Sequence, residues 1–107
     1  MAKAAIPADV REAVEGIVKK FNRSVLRERA VFQARFRGRF VYLDREVGGS
    51  FTPICRLAYN GEMDNWDFAI YKYSSDRYDA EEWFFPGAEH VNGTVVGAMR
   101  AGMAAYS

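Results

Sequence analysis

One cysteine in 107 residues means that no disulfide can form within the chain. Histidine is equally scarce: His90 stands alone, so no second histidine accompanies Cys55 to hold a metal. Glycine-rich phosphate loops, a dinucleotide fingerprint and the common nucleophile motifs are all missing. Charge of one sign is lacking too. The net charge of +1 provides no overall field that would demand nucleic acid or an anionic membrane. The N-terminus has no long apolar run, which leads us to expect neither a signal peptide nor a membrane span, and a reducing, cytoplasmic setting. Asn22-Arg23-Ser24 matches a glycosylation acceptor, a pattern that carries weight only in a secreted chain. Repeats and low-complexity segments are absent.

What is present is apolar and aromatic. Half of the residues are hydrophobic and 15% are aromatic, far from the composition of disordered chains. The length fits one domain over residues 1–107, with 1–8 as a loose end, burying about two-thirds of the surface of the unfolded chain. Cys55 falls in a strand-like run and reads as a small buried apolar side chain.

The central stretch is Pro53 to Tyr73. Ile54–Tyr59 and Trp66–Tyr73 read as two antiparallel strands around a polar turn over Asn60–Asn65. Alternation places Trp66, Phe68 and Ile70 on one face and Asp67, Ala69 and Tyr71 on the other. Before it, Val10, Ala13, Val14, Ile17, Val18, Phe21 and Val25 recur at helical spacing, with Asp9 and Glu12 placed as a capping box. That helix is expected to end between Asn22 and Arg29. Ala30–Asp44 then reads as one long strand. Phe32, Ala34, Phe36, Phe40 and Tyr42 share its aromatic, inner face; Gln33, Arg35, Arg37, Arg39, Val41 and Leu43 share the other, and Gly38 suggests a bulge. Ser74–Ala80 reads as a polar connection and Glu82–Phe85 as a short fourth strand ended by Pro86-Gly87. Thr94 caps a second helix running to Tyr106, with Val95, Met99, Met103 and Tyr106 in one stripe and Ala98, Gly102 and Ala105 in another. The expected fold is α+β: an N-terminal helix, a three- to four-stranded antiparallel meander, and a C-terminal helix, with both helices on one face.

The charge distribution is uneven. Residues 23–45 hold seven arginines against Glu28 and Asp44, a net +5, while residues 62–89 hold eight acids against Lys72 and Arg77, a net −6. Three readings follow. The two groups meet as cross-strand pairs on the outer sheet face. Alternatively Arg35, Arg37 and Arg39 line a face that binds a single-stranded nucleic acid, with Tyr59, Tyr71 or Tyr73 for base stacking. In the third, the charged stretches join two copies of the chain, aided by the aromatic patch Trp83, Phe84 and Phe85. Arg37-Gly38-Arg39-Phe40-Val41-Tyr42 invites comparison with the RNA-recognition-motif signature. However, Arg39 stands where an aromatic belongs, the spacing is one residue short and the βαββαβ order is absent, so that family is not assigned.

Catalysis draws little from the residues. His90 sits beside Glu89 in an expected turn, Asp64 and Asp67 form a carboxylate pair with no sign of burial, and Asp76, Asp79, Glu81 and Glu82 lack the spacing of a calcium loop. No cofactor or metal site is expected. PICRLAY (Pro53–Tyr59), Trp66–Tyr71 and the aromatic-proline run Trp83–Pro86 resemble a group of small bacterial proteins of unknown function, over residues 10–107. The resemblance implies an α+β fold and no established activity. The favoured expectation is a non-enzymatic binding or assembly module that self-associates, with single-stranded nucleic-acid binding as the alternative.

Overall fold

The structure is a computed structural model that describes residues 5–27, 30–82 and 84–106. Among these, the helix α1 (Ala8–Ser24) leads into five strands, β1 (Val31–Arg37), β2 (Phe40–Val47), β3 (Ser50–Ala58), β4 (Asp67–Lys72) and β5 (Arg77–Asp79). A short 3-10 turn at Ala88–His90 and a second helix, α2 (Val95–Ala105), complete the order. The strands form one antiparallel sheet in sequence order, so every connection within it is a hairpin. The α+β class holds, with one strand more than the sequence suggests.

Both helices pack on one face. Val10, Val14, Val18 and Phe21 of α1 recur every three or four residues and are buried. From α2, Val95, Ala98, Met99 and Ala101 meet them, and Phe32, Val41, Leu43, Leu57, Phe68 and Ile70 rise from the sheet to close the core. Gly102 lets α2 approach β3: a Cβ there would collide with the Cγ2 of Ile54, which is wholly buried. Ile6, ahead of α1, is also in the core, and its N–H donates to the Gly38 carbonyl at 3.0 Å. At the other end of α1, the Asn22 amide bonds both the N–H and the carbonyl of Phe32, at 2.8 and 3.0 Å, tying the helix to the outer edge of β1. The Asn22 side chain of the acceptor pattern is thus committed to holding the fold together.

Four local expectations change. α1 begins two residues early, with Pro7 as its cap and no side-chain capping bond, so Asp9 lies inside the first turn, where its charge complements the helix dipole. Ser74–Ala80 is more than a connection, because Arg77–Asp79 pairs with β4. Glu82, Phe84 and Phe85 are not strand residues; Trp83 lies outside the described residues. Most consequential, Ala30–Asp44 is a hairpin, not one strand. Gly38 has φ 60 at the first central position of a two-residue turn, the conformation that a type II′ hairpin requires. Arg37 therefore pairs with Phe40, Phe36 with Val41 and Ala34 with Leu43. Even-numbered β1 residues share a face with odd-numbered β2 residues. Val41 and Leu43 go into the core, while Phe40 and Tyr42 go to the face that carries Arg35 and Arg37.

Candidate binding surface

The register builds the outer face row by row. Arg35, Tyr42, Arg56 and Ala69 lie side by side across four strands, and Arg37, Phe40, Ala58 and Asp67 form the next row. A bulge between Leu43 and Asp44 then shifts the register so that Asp44 faces Pro53 and Ile54 becomes the extra residue. Ile54 and Cys55 are both wholly buried as a result. Further along, Tyr71 pairs with Tyr78 on β5.

These residues form a connected aromatic row. Ring centroids step from Phe40 to Tyr42 (6.3 Å), Tyr42 to Tyr78 (5.3 Å), Tyr78 to Tyr71 (5.1 Å) and Tyr71 to Tyr73 (5.0 Å), largely in edge-to-face or tilted contacts. Arginines lie over the rings. The Arg56 guanidinium carbon is 4.5 Å from the Phe40 centroid and 5.6 Å from that of Tyr78, and Arg35 is 5.1 Å from Tyr42. A concavity of about 580 Å³ opens here, lined by Arg35, Asp44, Arg56, Tyr71, Arg77 and Tyr78, with Phe51, Pro53 and Asp76 at its margin.

Its electrostatics centre on Asp44, which is 6% exposed. Arg35 Nε donates to Asp44 Oδ2 at 2.5 Å and Arg35 Nη2 to Oδ1 at 3.3 Å. That hydrogen bond to Asp44 raises the Arg35 pKa further above its ordinary value. The Tyr78 phenol is raised as well, first by burial and then by the negative charge of Asp44. Burial pushes the Cys55 thiol well up, so it is an inert core group.

The sequence-derived site residues separate. Arg35 and Arg37 are on the outer face and exposed. Arg39 is not: it sits in the turn, where its Nη2 bonds the Asn60 side chain at 3.1 Å and the Tyr59 carbonyl at 3.4 Å. Tyr71 faces outward but is 8% exposed, forming floor more than platform. Tyr59 belongs to the other side, packed on Trp66 at 5.0 Å. Tyr73 is half exposed, with its hydroxyl donating to the Pro53 carbonyl. The patch at 83–85 divides: Phe85 stacks on Phe68 at 5.8 Å, whereas Phe84 is 97% exposed. Phe40, Tyr42, Arg56 and Tyr78 were missed as surface residues. The Gly-X pair at Gly38-Arg39, read as a type II′ turn, was the signal that would have found the first two.

The expected meeting of basic and acidic segments is not what the ion pairs show. Among the described residues they join Arg35 to Asp44, Lys72 to Asp79 and Glu82, and His90 to Glu89, and none links residues 23–45 to residues 62–89. His90 and Glu89 are exposed on the 3-10 turn, away from this concavity. No group of three or more His, Cys, Asp or Glu among the described residues is placed to hold a metal, and no helix among them is long and apolar enough to cross a membrane. Comparison with family models, with curated proteins and with solved structures returns no match.

Proposed function

We propose that the chain is a small non-enzymatic binding module and that the helix-free face of its sheet is the binding surface. One observation carries this reading: the face opposite the helices is built from arginines set against aromatic rings, with Arg35, Arg37 and Arg77 exposed and Phe51 and Tyr73 more than half exposed at its edge. Arginine and aromatic residues are the types that dominate binding energy at interfaces. A sheet face meant only for solvent has no need of them. The buried lone cysteine fits a reducing, cytoplasmic setting.

The test pairs two partners with two variants. Molar mass by light scattering reports self-association, and anisotropy of a labelled single-stranded oligonucleotide reports nucleic-acid binding. Wild type is expected to engage one of the two. Arg56→Glu on the outer face should lose that engagement, and Arg11→Glu on the exposed side of α1 should keep it. A salt-insensitive monomer that binds no oligonucleotide overturns the reading.

A further inference from the structure

We infer that the partner of this face is a single-stranded nucleic acid, with Arg56 as its central phosphate-holding residue and Tyr42, Tyr78 and Tyr73, set over the Tyr71 floor, as its base-contacting rings. The inference rests on the reading of the outer face as the binding surface. Arg56 occupies the middle of the sheet and is held between the Phe40 and Tyr78 rings. Among the described residues its side chain makes no hydrogen bond and no ion pair. Ring faces attract the cation but accept none of its N–H donors, which lie in the guanidinium plane. The group is therefore oriented by apolar contact while its forked donors stay open to an oxyanion, the geometry that suits phosphate.

Arg35 is prepared differently. Asp44 takes its Nε and Nη2 and fixes the side chain over Tyr42, while more than half of that side chain stays in solvent. Asp44 is buried and paired, so at close range its charge is offset by that of Arg35. Arg37 and Arg77, both exposed, extend the basic groups to either side.

Three comparisons select the ligand. A second copy docking face to face with the two-fold axis at the centre of this face, near Arg56, would bring the Arg56 guanidinium against its own copy, like charge on like charge. A duplex keeps its bases stacked and offers the aromatic row nothing to receive. A free mononucleotide would use one ring, whereas the row runs continuously from Phe40 through Tyr42, Tyr78 and Tyr71 to Tyr73. A flexible strand with unpaired bases and regularly spaced phosphates satisfies both the donors and the rings.

The experiment is fluorescence anisotropy with a labelled single strand of about ten nucleotides, titrated with salt, with duplex of the same length and a free mononucleotide as competitors. Light scattering is run on the same samples. The single strand is expected to bind, to weaken steeply with salt, and to be displaced poorly by duplex or mononucleotide. Arg56→Glu should weaken binding by roughly ten- to a hundredfold, Tyr42→Ser by about tenfold, and Arg11→Glu not at all. Arg56→Lys keeps charge but loses the fork and the ring stacking, and should fall between; it guards against a reversal variant that fails to fold, as does a thermal melt of each protein. Absence of binding at low salt overturns the inference, as does binding that Arg56→Lys and Tyr42→Ser leave unchanged, or a mononucleotide that competes as well as the strand. If the strand does not bind but an Arg56-dependent dimer forms, the inference falls while the binding surface stands. If neither occurs, both fall.

Discussion

Asp44 and Arg35 form a pair in which one member is buried and the other has half of its side chain in solvent. Water screens such a pair, so the interaction is worth about 1 kcal/mol rather than the 2–3 kcal/mol of a fully shielded charged hydrogen bond. Asp44→Asn is expected to lower stability by about that amount in urea unfolding. Arg35→Ala should cost somewhat more, because it leaves a buried carboxylate without its partner. The double variant should lose less than the sum of the two. Proton binding at Cys55, Tyr73, Tyr78 and Tyr106 provides a second residue-scale prediction. Burial is the leading cause in all four, and it raises each pKa. The native state then holds these protons more tightly than the unfolded chain does. Stability is fully present below the ordinary values and falls as pH rises past about 8.5 for the thiol and about 10 for the phenols. The urea midpoint should decline across that range, and Cys55→Ala, from a lower starting point, should remove the part of the decline that begins first.

At the scale of elements, the same substitution should act with opposite sign in the two helices. Gly16 lies in the exposed side of α1 with open space where a Cβ would stand. Gly16→Ala is expected to stabilise by about 0.5–1 kcal/mol through backbone entropy alone. Gly102→Ala gains the same propensity but drives a methyl group into Ile54, a wholly buried side chain with no free direction to move. A net loss of about 1–3 kcal/mol is expected by thermal or urea unfolding. Helix ends differ likewise. The Thr94 hydroxyl accepts the Gly97 N–H at 3.0 Å, so Thr94→Ala should cost about 1 kcal/mol. Asp9 caps nothing, and Asp9→Ala should stay within about 0.5 kcal/mol of wild type in the same measurement.

At the scale of the whole molecule, the core joins side chains from α1, α2 and the sheet into a single cluster. Val14 of α1, Met99 of α2 and Leu43 of β2 are each without solvent contact, so no layer can leave without exposing the others. Unfolding should therefore be cooperative. Far-UV circular dichroism, dominated by the helices, and fluorescence of a Trp83→Phe variant, whose remaining tryptophan is the buried Trp66 just before β4, are expected to give coincident urea midpoints. Separate midpoints would mean that the helical layer melts on its own. The hairpin-only topology also places each strand beside its sequence neighbour, which favours rapid formation of the sheet.

How far the chain could be read without coordinates depended on whether each signal was local. The capped helix after Thr94 and the pairing of Ile54–Tyr59 with Trp66–Tyr73 were legible because capping, helical spacing and alternation act within a few residues. The α+β class followed from the order of those elements. The outer face was not legible. Phe40-Val41-Tyr42-Leu43 is apolar at every position, so alternation has no contrast there to reveal which side is buried. The two-residue turn at Gly38-Arg39 reverses the relation between odd and even positions, and the bulge opposite Asp44 reverses it again on β3. Sequence alone thus determined the two helices, the central strand pair and the α+β class. Only the tertiary pairing of strands decided that Arg56, Tyr42 and Tyr78 share one open face, because a side chain's face is set by the parity of its register, and parity is a property of the partner strand as much as of its own.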